Sequence, residues 1–285
     1  MRLAILTPDP EYLEYTEYSD PLFLRYEEVF GRIGVEVAAA PWTEPLPDGL
    51  DAAAPMLAWG YHLQLDRWRQ ALDAWEASTT LVNSANVLRW NTRKTYLTEM
   101  ALAGVPIVPT VMAPLATQSE IERAAKLFNS DELVVKPQVS AAGFRTVRLR
   151  RGETPSEILP DAMIQPFLPA VNGDGELSLF FFGGRFAYAV RKVAAAGEFR
   201  VQPHYGGTLS LFEPTEEALE TAALAVAAAP EPVTYARVDL VRGWDGQPLL
   251  MEFEAIEPDL YFHLAPDGGL AYAQAVVSAV SAARA

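Results

Sequence analysis

Three carboxylates close together late in the chain, Asp239, Glu252 and Glu254, are the residues best placed to do chemistry. They sit in two apolar runs, Tyr235-Ala-Arg-Val-Asp-Leu-Val and Pro248-Leu-Leu-Met-Glu-Phe-Glu, with Arg242-Gly-Trp-Asp-Gly-Gln between them. Asp245-Gly246 signals a two-residue hairpin turn. Pairing outward from that turn sets Trp244 opposite Gln247 and, five steps on, Asp239 opposite Glu252. Glu254 shares their face, because strand side chains alternate with period two. Acids crowded on one face repel one another. A divalent cation held by oxygen ligands removes that cost, and Mg²⁺ in such sites is commonly shared with nucleotide phosphates. A solvated sheet face carrying acids by chance would give the same letters.

Cations gather upstream. Lys136 ends the apolar strand Leu133-Val-Val-Lys-Pro, where a lysine meets an anion or snorkels to water. The small-residue loop after it, Ser140-Ala-Ala-Gly-Phe-Arg, could lay backbone N–H groups over phosphates. Arg185, Arg191, Lys192 and Arg200 cluster in the middle of the chain, shortly before Gly206-Gly207, which permit close backbone approach. Facing one cleft, they would hold an anion; on open strand faces they would simply be solvated. Ile164-Gln-Pro-Phe-Leu-Pro joins two sheet-rich halves, either as an adenine-binding hinge or as a proline-bounded linker. His62, His204 and His263 are scattered without metal-ligand spacing, and neither GxxxxGK[ST], GxGxxG, HExxH nor GxSxG occurs.

The elements that must position these groups alternate between strand and helix. At 285 residues with half of them hydrophobic, the chain can bury a large core and divide into two or three lobes. Residues 1–112 read as a parallel α/β lobe: strands at 2–6, 35–40, 56–60 and 81–83, and helices at 21–31, 63–78 and 92–103, the last capped by Gly104. From residue 113 the pattern changes to a helix at 119–128, strands at 132–137, 146–150 and 162–168, then strands at 177–182, 186–193 and 199–202. A helix at 216–229 precedes the acidic hairpin, and a last helix spans 270–283.

Composition removes whole classes of function. A formal net charge of −15 argues against a nucleic-acid partner, although a locally basic cleft could still take a small anion. The absence of cysteine excludes disulfides, thiolate metal sites and a cysteine nucleophile. No apolar run approaches the ~20 residues that span a bilayer, and the N-terminal run is too short for a signal peptide, so neither a membrane partner nor export is expected. The expected location is the cytoplasm.

In order along the chain, these pieces resemble the ATP-grasp superfamily of carboxylate–amine ligases, of the bacterial glutathione synthetase type. The resemblance runs from Leu81-Val-Asn-Ser-Ala-Asn through Ala103-Gly-Val-Pro-Ile-Val-Pro-Thr, Val134-Val-Lys-Pro, Gln165-Pro-Phe-Leu, Gly197-Glu-Phe-Arg-Val-Gln, Ala236-Arg-Val-Asp-Leu and Leu250-Met-Glu-Phe-Glu. It implies an N-terminal α/β domain (1–112), an α+β small subdomain (113–168) and an α+β C-terminal subdomain with the metal site (169–285), the last two closing over ATP. It further implies that Lys94 and Lys136 hold phosphates, that Gln165, Phe167 and Leu168 form the adenine hinge, and that Glu176 meets the ribose. Gly206 and Gly207 would flank the transferred phosphoryl group, and Arg200 with Lys192 would stabilise its charge. Asp239, Glu252 and Glu254 would carry one or two Mg²⁺, for which Mn²⁺ could substitute. The implied reaction joins or cyclises a small acyl substrate and an amine through an acyl phosphate. A homodimer is common among such ligases. The competing expectations are an ATP-binding sensor without catalysis and a binding protein for an acidic metabolite.

The match has departures. Glu254 stands where the glutathione synthetase pattern often has Asn, Lys192 where it has Arg, and Glu252-Phe-Glu-Ala-Ile-Glu-Pro-Asp-Leu-Tyr-Phe lacks its substrate-side residues. Glutathione synthesis is therefore not expected, and the chain is also similar to a subgroup that closes the D-cycloserine ring. Substrate contacts on the N-terminal side are sought among Tyr12, Tyr15, Tyr18 and Trp59-Gly-Tyr-His, an aromatic set that a core or interface would equally use.

Overall fold

Leu3, Ala4, Ile5 and Leu6 of the first strand, β1 (Arg2–Thr7), are wholly buried. Such an unbroken apolar run belongs to a strand covered on both faces. The protein is described here by a computed structural model over residues 1–153 and 155–284. After β1 come α1 (Leu13–Gly31), β2 (Glu36–Pro41), β3 (Ala52–Ala54), α2 (Leu65–Ser78) and β4 (Thr80–Leu81). The strands form a parallel sheet in the order β2-β1-β3-β4.

Several elements differ from their sequence expectation. α1 begins at Leu13 and carries Pro21 inside it. Pro21 forfeits a bond to the carbonyl of Glu17, but Glu17 is exposed and solvent can replace the partner. The third strand is the alanine run of β3, not 56–60, because Pro55 has no N–H with which to extend the ladder. The helix expected at 92–103 begins only at Tyr96, as α4 (Tyr96–Leu102), and an unexpected helix, α3 (Ala85–Asn91), precedes it. The break between them is held by a tertiary bond from the backbone N–H of Lys94 to the Gln138 carbonyl, 2.8 Å.

β5 (Val111–Leu115), α5 (Gln118–Phe128), β6 (Glu132–Pro137), β7 (Val147–Arg150) and β8 (Pro160–Pro166) build an antiparallel sheet in the order β5-β8-β6-β7. α6 (Ala170–Gly173) leads into β9 (Glu176–Phe182), β10 (Arg185–Val193), β11 (Thr208–Leu211), α7 (Glu216–Ala227), β12 (Tyr235–Arg242), β13 (Pro248–Glu254) and α8 (Leu270–Ala283). Their strands form an antiparallel sheet, β11-β10-β9-β12-β13. Residues 199–202, expected as a strand, are loop; the Gln202 carbonyl closes that loop by accepting from the N–H of Tyr205, 2.9 Å.

α8 returns to the N-terminal lobe. Tyr272 is completely buried, with the rings of Tyr26, Phe30, Phe182 and Tyr235 5.6–6.0 Å away. One core thus ties the first and last parts of the chain together. No helix among the described residues is long and apolar enough to cross a membrane.

Candidate active site

The register of the β12–β13 hairpin decides which acids meet. Next to the turn Arg242 faces Pro248 and Leu240 faces Leu250, one residue short of the two-residue-turn register. The loop holds three residues, 244–246, with Gly246 at φ +85° and the Gly243 N–H bonded to the Gln247 carbonyl. A bulge at Met251 then restores the count, so Asp239 does face Glu252. One oxygen from each of Asp239, Glu252 and Glu254 lies within 4.8 Å of the others. All are hard oxygen donors, which suits Mg²⁺ or Mn²⁺.

Cations are threaded through this triad. Arg237 shares the face because it precedes Asp239 by two residues. It bonds Asp239 through Nη2 at 3.0 Å and also pairs with Glu254. Lys94 reaches Glu252 at 3.1 Å and donates to the Ser140 carbonyl at 2.7 Å. Lys192 pairs with Glu176 and lies 3.5 Å from Asp239. Ser178 Oγ donates to Asp239 Oδ1 at 2.5 Å.

The balance of burial against these charges sets each proton affinity. Burial would raise the Asp239 carboxyl, but Arg237 and Lys192 hold it down at about 2. Glu252 is likewise kept low by Lys94 and Lys136 against its burial. Burial wins at Glu254, only partly offset by Arg237, and pushes it up to about 7. Three residues on, burial and repulsion from Glu254 push Glu257 up to about 8.

Lys136 stands apart. It is buried on β6 and makes no ion pair or side-chain hydrogen bond among the described residues, and burial lowers its proton affinity. It lines, with Lys94 and the triad, a cavity of about 1110 Å³ between the sheets. That exceeds the ~300–1,000 Å³ of a pocket for one drug-sized ligand.

Gln165, Phe167 and Leu168 are buried and line the same cavity. Gln165 Nε2 donates to Thr110 Oγ1 at 2.9 Å, and the Arg148 guanidinium lies 3.6 Å from the Phe167 ring centre. Val108, Val134, Val241 and Met251 give this end apolar walls. Glu176, expected at a ribose, spends its carboxylate on Lys192. Arg200 lines the cavity, stacked 3.6 Å over Tyr205 and paired with Glu198 at 2.7 Å. Gly206 and Gly207 do not line it. A Cβ on Gly207 would fall 2.0 Å from the Val201 carbonyl oxygen, so the glycine there serves the loop's own backbone.

From the N-terminal lobe Tyr15, Tyr18, Trp59, Gly60, Tyr61 and His62 reach the cavity, whereas Tyr12 packs beside Tyr15 outside it. His62 lies 5.2 Å from Phe144, ring to ring, so the Ser140–Phe144 loop closes against this lobe. Burial, then Lys94, lowers His62 to about 4.

Sequence reasoning missed Arg237, although period two from Asp239 would have found it. It also missed Glu257, Asp259 and Tyr261, which sit on irregular backbone with no periodic signal.

No protein-family model matches the chain. The cycloserine biosynthesis protein DcsG of Streptomyces lavendulae is 31% identical over 219 residues, 70% of this chain and 73% of that protein. The crystal structure of D-cycloserine synthetase DcsG superposes with a TM-score of 0.84 at 24% identity, covering 98% of this chain and 100% of the other. D-alanine–D-alanine ligase from Bacillus anthracis gives a TM-score of 0.71 at 13% identity, covering 100% and 98%.

Proposed function

Since this chain belongs to the ATP-grasp carboxylate–amine ligases, we propose that its cavity holds ATP with Mg²⁺ and activates a small carboxylate or related acyl group for attack by an amine. A carboxylate oxygen attacks the γ-phosphorus, the bond to the β-phosphate oxygen breaks, and ADP leaves. The amine adds to the acyl carbon of the resulting acyl phosphate, loses a proton, and expels phosphate. Likeness to a D-cycloserine synthetase favours a cyclising version, with both reacting groups in one molecule. A reaction that consumes ATP belongs in the cytoplasm.

The observation that carries this proposal is the triad of Asp239, Glu252 and Glu254, with oxygens within 4.8 Å, sharing a cavity with the unpaired Lys136. Mg²⁺ held there would neutralise phosphate charge. Lys94 neutralises Glu252 until phosphate oxygens offer its ammonium a second anion. Lys136, which forms no ion pair among the described residues although its field holds Glu252 low, supplies a further positive charge. Arg237, fixed between Asp239 and Glu254, keeps the acids from repelling one another, and its Nη1 donates to the Asp259 carbonyl at 3.3 Å. Arg200 and Lys192 stand ready for the transferring phosphoryl group. The apolar walls around Phe167 and Leu168 receive the adenine, with Gln165 locked by Thr110. The Ser140–Phe144 loop excludes water. Such catalysis is positioning and charge neutralisation, and needs no protein nucleophile.

Glu252→Gln tests it. With amino acids and small amines screened for ADP release, the variant should keep its fold and lose about 100-fold or more of the turnover. Turnover near that of the unmodified protein would overturn the metal assignment. Tight Mg–ATP binding with no ADP release from any substrate over hours would favour a sensor.

A further inference from the structure

The strand that carries Glu252 and Glu254 lies at the edge of its sheet: β13 pairs with β12 on one side and, among the described residues, with no strand on the other. An edge leaves backbone N–H and C=O groups without ladder partners. Near the turn the outer edge is met by main chain. The Leu250 N–H donates to the Pro106 carbonyl and the Val108 N–H to the Leu250 carbonyl, at 2.8 and 2.9 Å. Beside the two glutamates it is met by side chains instead. Asn91 Nδ2 donates to the Phe253 carbonyl at 2.7 Å, and the Ala255 N–H donates to Asn91 Oδ1 at 2.8 Å. The Phe253 N–H donates to Tyr96 Oη at 3.1 Å, and Asn83 Nδ2 donates to the Ala255 carbonyl at 2.8 Å.

What these bonds bracket is specific. In a parallel ladder a residue bonds to the two neighbours of the residue opposite it, and the buried Asn91 amide makes that pair of bonds around Glu254. An ionised carboxylate could make only one of the two, since it has no donor. Tyr96 holds the N–H that lies between Glu252 and Glu254. The Phe253 side chain alternates to the other face, where the rings of Trp90 and Tyr96 lie 5.8 and 6.5 Å away. Asn91 ends α3 and Tyr96 opens α4. Lys94, which pairs with Glu252 at 3.1 Å, sits in the joint between them, so one short segment carries both the lysine and the clamp.

We infer that Asn91 is a positioning residue for the metal site. It fixes the backbone on both sides of Glu254, with Tyr96 assisting, and so holds that carboxylate at the spacing from Asp239 and Glu252 that a divalent cation needs. The inference rests on the proposed function above and concerns how its metal ligands are aimed. A ligand held in place by hydrogen bonds behind it loses less freedom when the ion arrives. Asn91 acts through the backbone beside Glu254 and not by ligating the ion.

Calorimetric titration of AMPPNP into the protein, in excess Mg²⁺ and again in EDTA, tests this. The ratio of the two dissociation constants measures what the metal contributes. Asn91→Ala should cut that ratio about tenfold, as for other groups that hold metal ligands from behind. Tyr96→Phe, which removes a single bond, should cut it about threefold. Loss of folded protein lowers the stoichiometry, and a general loosening of the cavity weakens binding in both media alike, so neither moves the ratio. Thermal melting shows whether each variant is folded; should Asn91→Ala not fold, Tyr96→Phe decides on the same ratio. A folded variant with the ratio of the unmodified protein would overturn the inference and leave the ligase function standing. An unmodified protein that binds AMPPNP no better in Mg²⁺ than in EDTA would strike the metal site itself, and the inference with it.

Discussion

Glu254 and Glu257 lie three positions apart and line one cavity, yet they are held in different ways. Glu254 is the last residue of a strand, with Arg237 two residues from Asp239 on the paired strand to meet it. Glu257 sits on irregular backbone and forms no ion pair among the described residues, although the charge of Lys94 reaches it. The contrast separates two kinds of half-buried acid lining the cavity. One is built into a lattice of alternating charges that is self-sufficient until metal and phosphates rearrange it. The other is held on its proton by burial and the neighbouring Glu254 instead of by a paired cation.

The largest effect should come from breaking the lattice. Arg237→Met would leave Asp239 and Glu254 without their shared guanidinium, and removing one partner of a buried ion pair costs about 3–5 kcal/mol. Urea unfolding should show that loss without metal and a partial recovery with millimolar Mg²⁺, since a cation of another kind can then neutralise the same oxygens. A metal-independent loss would mean that the triad does not bind the ion.

The same contrast explains what was legible in the sequence. The hairpin acids could be paired from the letters because strand side chains alternate, and even the unforeseen three-residue loop did no harm, since the bulge at Met251 restored the register. Lys136 was found because a lysine ending an apolar strand is conspicuous. Glu257, Asp259 and Tyr261 obey no period; their positions follow from an Asx-type turn and a strained φ that only the folded surroundings impose. Gly207 misled for a related reason, because its tight neighbour is the Val201 carbonyl, a contact made within the loop. The late start of α4 depends on the Gln138 carbonyl, which holds the Lys94 N–H and lies far away in sequence.

A second prediction concerns pH. Burial raises Glu257 to about 8 in the folded protein, from an ordinary value near 4.5 when unfolded. Between those values the native state binds the extra proton, so the contribution of Glu257 is fully present below about pH 4.5 and is lost as pH rises through about 8. The slope from one proton cannot exceed about 1.4 kcal/mol per pH unit. Asp239 has the opposite sign: held at about 2, it favours folding above its ordinary value of 3.8 and loses that contribution as pH falls through about 2. Urea midpoints from about pH 5 to about pH 8 should decline less steeply in Glu257→Gln than in the unmodified protein. Parallel curves would show that Glu257 already has a counter-charge in the folded protein.

The smallest effect sets the two lysines of the triad end against each other. Lys94 is paired with Glu252 at 3.1 Å, so Lys94→Met should destabilise the ligand-free protein by exposing that acid's cost. Lys136 is buried and unpaired, so Lys136→Met exchanges an uncompensated ammonium for an apolar chain of similar length. The ligand-free protein should gain on the order of 1 kcal/mol, because a desolvated charge without a partner opposes folding. The same variant should lose Mg–AMPPNP binding in calorimetry, since the charge that costs stability in the empty cavity is the one a triphosphate would use. Urea unfolding decides the sign. If Lys136→Met instead weakens the ligand-free protein as Lys94→Met does, then Lys136 already has a carboxylate partner in solution, Glu252 being the nearest in influence, and the division of labour between the two lysines falls.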